Sequence, residues 1–454
     1  MRKALLATAA LLGMSYGIGH AAEISVVSTT PTGVSGFVSP QLKAKPGQIV
    51  VHLSFRENVY MEASWFGHNG TSSSGLASSN AGGDKLQPQA ITGYSRIFGG
   101  FDAQTTSGLK YGAVMEIREN NFGTNSSGKY GGAGGGAPST GASGQSFANT
   151  LYIRRGYGYI GTDQIGLLRI GEMDGPMSLF LTGVFDSLGT GGFNGDLNTY
   201  NSTTPIWPFE DVGNNYTTAK IMYLSPMYEG FQAAISYEPN SANLQDNYFT
   251  CSTADCFTTS SSNSANELVR RRNTIEAGIR YVGTLFGTVG INTSLTGTTA
   301  GRVNPGPTAA PALGTTSFRN QLFGDFGIAL TYAGLTVGAN VQGGRVNGQF
   351  ANMPSGGHDE LAYEVGGDYK IAALTFGAMY FSNSYQGWSG LHARRDQGVT
   401  IGANYAIAPG VNFLAEYDYG WRHQSGFDFY SGGPGANNND VKEQIIGAGF
   451  QFAF

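Results

Sequence analysis

VKEQIIGAGFQFAF, residues Val441 to Phe454, alternates in side-chain character and stops on an aromatic ring. Ile446, Ala448, Phe450, Phe452 and Phe454 share one parity, while Glu443, Gly447, Gly449, Gln451 and Ala453 share the other. Successive strand side chains point to opposite faces, so the stretch is a strand with one apolar and one wetter side. In water, three rings facing one way at a chain terminus would sit on an unprotected sheet edge. A bilayer would cover them.

The opposite end of the chain agrees about the compartment. Arg2 and Lys3 precede the apolar stretch Ala4 to Leu12, and Gly19-His20-Ala21 places small residues three and one positions before a cut, which predicts a secretory signal peptide over residues 1–21. Removing its two basic residues takes the net charge from -5 to -7, an acidic balance that argues against a nucleic-acid partner. No later segment approaches the ~18 uninterrupted apolar residues of a membrane helix. A membrane would therefore be crossed by strands.

Composition points the same way. Only 13% of residues are charged, against about 25% in a soluble domain, yet mean hydropathy is slightly negative. A closed barrel produces this combination, because half of each strand touches lipid and half touches water. Cys251 and Cys256 lie close together in a Ser/Thr/Asn-rich stretch, which in an exported protein reads as a small loop disulfide. The six histidines are scattered singly and give no metal-ligand spacing. Neither a metal nor a cofactor is expected.

Period-2 alternation marks sixteen strand-like segments, from Gln48 to Ser64 through Val441 to Phe454. Their connections run long, short, long, short. Short turns fall at Thr105 to Gly108, Thr162 to Asp163, Ser225 to Gly230, Gly283 to Phe286, Ala333 to Gly334, Lys370 to Ala373 and Ile407 to Gly410. Eight long polar loops alternate with them, among them Phe66 to Gln89, Asp174 to Tyr216 and His423 to Asp440. This is the layout of a 16-stranded antiparallel transmembrane β-barrel with both termini at the periplasmic end. Sixteen strands leave an aqueous channel where eight would be filled by side chains.

Parity assigns the faces. In the first segment Val51, Leu53, Phe55, Val59 and Met61 oppose His52, Arg56, Asn58, Tyr60 and Glu62. The same rule turns Arg96, Arg118, Glu276, Glu364, Thr400, Glu416 and Asp418 to the lumen and Ile275, Ile279, Val365, Ile401 and Phe413 outward. Arg154 and Arg155 are adjacent, so parity sends them to opposite faces; Arg154 is expected inside, and Arg155 at a subunit contact or near the rim.

With these residues assigned, the chain resembles a Gram-negative outer-membrane general diffusion porin of the alphaproteobacterial type. The resemblance covers nearly all of the mature chain and rests on Gly108-Leu109-Lys110-Tyr111-Gly112-Ala113 after a turn, on Arg154-Arg155-Gly156-Tyr157-Gly158-Tyr159-Ile160-Gly161, on Leu168-Arg169-Ile170-Gly171-Glu172, and on the terminal phenylalanine. It implies that the third long loop, residues 174–216, folds inward and narrows the channel. It also implies a homotrimer, outer-membrane lipid and lipopolysaccharide as surroundings, and a barrel-assembly machinery that reads Phe454. On that resemblance Arg56, Arg96, Arg118, Arg154 and Arg169 form a positive wall facing loop acids Asp186, Asp196, Glu210 and Asp211. A transverse field of this kind orients dipolar solutes. The barrel spans residues 48–454, and residues 22–47, with three prolines, read as a flexible periplasmic extension or a plug-like segment.

The expected function is passive diffusion of small hydrophilic solutes and ions. A substrate-specific porin for sugars or carboxylates is the nearer alternative; Tyr60, Tyr94 and Tyr152 could stack on sugar faces. An outer-membrane barrel enzyme is more distant, since His52 and His423 have no evident partner in sequence and no G-x-S-x-G element joins strand to helix. Gly123 to Lys129 matches phosphate-loop spacing, but Tyr130 stands where Ser or Thr is needed and a glycine run follows.

Overall fold

The computed structural model describes residues 44–66, 89–120, 152–195, 204–209, 218–240, 271–302, 312–315, 317–348, 352–429 and 432–453. Cys251, Cys256, Asp196, Glu210, Asp211 and Phe454 lie outside them, as do the signal peptide and most of residues 22–47.

The first strands are β1 (Gln48–Phe66), β2 (Gln89–Gln104), β3 (Lys110–Asn120), β4 (Tyr152–Thr162) and β5 (Gly166–Met173). After the third long loop come β6 (Thr218–Leu224), β7 (Phe231–Asn240), β8 (Arg271–Leu285), β9 (Val289–Arg302) and β10 (Gln321–Tyr332). The last part holds β11 (Leu335–Arg345), β12 (Glu360–Ile371), β13 (Leu374–Tyr385), β14 (Arg394–Ala408), β15 (Val411–His423) and β18 (Asp440–Ala453). Between β15 and β18, the two-residue strands β16 (Phe427–Asp428) and β17 (Gly433–Pro434) make a separate hairpin in the last loop.

Among the described residues, sixteen strands close an antiparallel barrel, and the seam is β18 against β1, with Val59 opposite Phe450 and Arg56 opposite Ala453. The expected fold class holds. Closure gives each of the sixteen strands a partner on both sides, which an open sheet in hydrocarbon could not do. The short turns obey local backbone chemistry: β10 and β11 are joined by Ala333 and Gly334 alone, both at positive φ (48° and 88°), as a two-residue hairpin turn requires. One strand exceeds its expected length. Period-2 alternation predicts the ninth segment over Gly287 to Leu295, whereas β9 pairs with β10 as far as Ala300 opposite Gln321. Its Thr/Gly run carries little apolar contrast, so backbone pairing extends it where alternation is silent.

Polarity is inverted relative to a soluble domain. Outward Leu53, Ile91, Ile170, Ile235, Ile279, Phe326, Val365, Ile401 and Phe450 are exposed, while inward Asn58, Glu116, Arg169, Glu276, Glu364, Thr400, Asp418 and Glu443 are buried. The apolar clusters lie inside the barrel, where the third loop meets the wall. Phe185, Leu188, Phe193, Trp207 and Phe209 of the loop pack with Ala362, Met379 and Phe381 of β12 and β13. Each such side chain contributes roughly 1.5–3 kcal/mol of burial. The inward loop is thus held as a core is held.

Candidate functional site

Two opposed inner surfaces define the site. The first is the inner face of β1 to β5. Arg56, Arg96 and Arg118 stand directly opposite one another on three adjacent strands, Arg56 across from Arg96 and Arg96 across from Arg118. Arg169 on β5 is buried, with its guanidinium 5.4 Å from the Tyr157 ring centroid. Of the five arginines expected on this wall, three stand in one row on β1 to β3, while Arg169 lies opposite Tyr159.

Arg154 and Arg155 depart from parity. Between β3 and β4 the register slips: Glu116 faces Arg155 and Ile117 faces Ile153, leaving Arg154 as an extra residue. Such a bulge sets two residues against one and re-aims the side chains. Both arginines are consequently buried on the inner side, at 6% and 1% exposure, and both reach Glu116. Arg155 neither faces lipid nor sits at a subunit contact. It also donates to Asp174, the first loop residue, through Nε at 2.6 Å and Nη2 at 2.9 Å. Arg118 donates to Glu116 as well. One carboxylate therefore serves three guanidinium groups.

The second surface is the loop itself, laid along β7 to β15. A five-residue helix, Pro176–Phe180, starts it, and the Met177 amide donates to Glu276 at 3.3 Å. Asn340 donates to the Thr182 carbonyl at 2.9 Å, and the Phe185 amide donates to Glu364 at 2.7 Å. Asn404 binds the Gly189 amide at 2.7 Å and the Ser187 carbonyl at 3.0 Å. Glu416 accepts from the amides of Thr190, Gly191 and Gly192 at 2.8, 3.1 and 2.9 Å. On the return leg the Ile206 amide donates to Asp396 at 2.9 Å. Glu276, Glu364, Glu416 and Asp396 each accept from loop backbone.

Space for the loop comes from glycines that share the lumen parity. Gly338 lies opposite Gly366, Gly377 opposite Gly402, and Gly398 opposite Gly420, forming a trough across β11 to β15. A Cβ at Gly366 would come within 2.7 Å of the Phe185 ring, one at Gly377 within 2.8 Å of Leu188, and one at Gly420 within 2.7 Å of Pro205. Sequence reading missed these positions. Their signal is present as glycine on the polar parity of five successive strands, one use of the chain's 70 glycines.

Of the expected loop acids, Asp186 is described: it is buried and accepts from Asn194 at 3.0 Å. Tyr60 and Tyr94 are buried and share Asn58 as a donor. Both histidines without an evident partner in sequence have one in space. His52 pairs with Asp102, which also accepts from Tyr159, and His423 pairs with Asp440 at 2.7 Å on the exposed rim.

The family profile for Gram-negative porins matches residues 67–422. In fold, the chain is similar to an anion-selective porin from Comamonas acidovorans, with a TM-score of 0.52, 11% identity, and coverage of 89% of this chain and 100% of that one. It is similar also to the outer-membrane channel DcaP of Acinetobacter baumannii, with a TM-score of 0.50, 13% identity, and coverage of 91% and 99%. No curated protein matches the sequence.

Proposed function

The chain belongs to the Gram-negative porin family, and from that premise we propose that solutes pass between the arginine wall of β1 to β5 and the loop seated on β7 to β15. It is a channel of the bacterial outer membrane for passive diffusion. The observation that carries the constriction is the placement of Arg56, Arg96 and Arg118 in one row across β1, β2 and β3. A pore selects by width and by the field at its narrowest ring. The loop acids Asp196, Glu210 and Asp211 complete that field from the other side. Planar-bilayer recordings of the purified protein test the reading: discrete conductance steps are expected, and folded protein that gives none refutes it. Replacing the three acids with amides moves the reversal potential in a salt gradient toward anions; an unchanged potential removes them from the constriction.

Three copies are the proposed assembly, with β1 and β2 at the contact. Glu57, which accepts from Ser95, makes a polar spot on an outward face otherwise lined by Leu53, Val59 and Met61. A carboxylate there is better placed against protein than against acyl chains. We further propose that the His52–Asp102 pair is structural and the chain a channel rather than an enzyme, since the same carboxylate is also held by the Tyr159 phenol. A sugar ladder is disfavoured because Tyr60 and Tyr94 are buried against Asn58 instead of presenting ring faces.

A further inference from the structure

We propose that the outward face of β14, β15 and β18, at the long-loop end, binds the phosphate groups of an outer-leaflet glycolipid of the lipopolysaccharide type, held by Arg395, His423 and Lys442. The site depends on the outer-membrane location and not on the path that solutes take through the lumen.

Four rows of cross-strand neighbours grade from apolar to charged toward the long loops. Ile401, Tyr417 and Ile446 make the lowest row, and Val399, Tyr419 and Gln444 the next. Above them Gln397 stands opposite Trp421, and Trp421 opposite Lys442. The top row is Arg395, His423 and Asp440. At the far end of the same strands this parity carries Tyr405, Phe413, Phe450 and Phe452, with no charge among the described residues. Rings suit both interfaces of a bilayer. Cations at one end alone suit a leaflet with anionic headgroups.

The polar groups below the charges are paired with one another. Trp421 donates from Nε1 to Gln397, Gln397 donates to the Tyr380 oxygen at 2.6 Å, and Tyr417 donates to Gln444 at 3.1 Å. The Tyr419 and Trp421 ring centroids are 5.5 Å apart. Amides satisfied in this way can lie against upper acyl chains without the cost of an orphaned group, and Trp and Tyr present an apolar body with a polar tip.

The charges above are paired differently. Asp440 is taken by His423 at 2.7 Å, while Arg395 and Lys442 are exposed and make no ion pair among the described residues. β14 and β18 flank β15 at about 4.8 Å on either side. Both long side chains are therefore within reach of one phosphate lying over Trp421 and His423. Guanidinium supplies a fork for two phosphate oxygens, and ammonium a point charge. The glycolipid's acyl chains then run down over Tyr417, Ile401 and Ile446, a contact that free phosphate lacks.

The test titrates the folded protein in detergent with diphosphoryl lipid A, fully dephosphorylated lipid A or inorganic phosphate, and counts bound lipid by native mass spectrometry. Expected are saturable binding of the diphosphoryl form, binding of the dephosphorylated form weaker by about tenfold, and no displacement by inorganic phosphate at equal concentration. Replacing Arg395→Gln and Lys442→Gln together should weaken binding of the diphosphoryl form by about thirtyfold, the effect of two cations beside an anionic headgroup. Lys45→Gln, on an exposed lysine ahead of β1 at the opposite end of the barrel, should bind as the parent does. Retained conductance steps report that each variant is folded. Equal binding of the two lipid forms by the parent, displacement by inorganic phosphate, or unchanged affinity in the double variant overturns the site.

Discussion

Glu116 is the residue on which the near wall depends. Its carboxylate is buried on β3 and accepts from Arg118, Arg154 and Arg155. Taking one partner from a buried ionic cluster costs more than the cluster contributes, because the remaining charges are left uncompensated, typically about 3–5 kcal/mol. Glu116→Gln should lose stability of that order in guanidinium unfolding followed by tryptophan fluorescence. Arg118→Gln should lose clearly less, since Glu116 keeps two guanidinium partners. Equal losses would mean that the carboxylate is not the hub. Sequence parity places Glu116 and Arg118 inside correctly, but it separates Arg154 from Arg155. The bulge that reunites them is a mismatch in pairing between two strands. Nothing within either strand's own alternation records it, because an extra residue in one strand shows only against its partner.

At the scale of elements, the third loop is the part whose position sequence leaves open. Its inward turn is implied by resemblance, whereas its seat is written in residues far along the chain: Phe185 on Glu364, Gly189 on Asn404, Thr190 to Gly192 on Glu416. These pairs are separated by 179 to 226 residues, beyond the reach of any local pattern. The glycine trough is legible in a weaker sense, since lumen parity marks the glycines but not what lies over them. Gly366→Val should drive Phe185 and the loop off β12 toward the arginine wall, because backbone on the far side cannot yield and interiors tolerate little added volume. Single-channel conductance is expected to fall. Gly297→Val, on the outward face of β9 where a Cβ meets nothing closer than 3.8 Å, should leave conductance unchanged. The hypothesis fails if both variants conduct alike.

For the molecule as a whole, the strand count and the facing of its residues follow from alternation, because a barrel repeats one simple period around its circumference and every strand answers to the same two solvents. Closure also depends on the last strand. Among the described residues, β18 pairs along β1 from Arg56 opposite Ala453 upward, and Gln48 to Phe55 pair with β2. The described pairs of the seam run from Ala453 opposite Arg56 to Glu443 opposite Phe66, and removing Phe454 should leave that register, the arginine row and the loop seat in place. We propose instead that the terminal aromatic, which resembles the family's assembly signal, serves the chain's entry into the membrane. Deleting Phe454 should lower the yield of folded, heat-modifiable protein in outer membranes, while each pore that does insert conducts as the parent does. Unchanged yield with smaller unitary currents would reverse the assignment and make the last ring part of the pore's architecture rather than of its delivery.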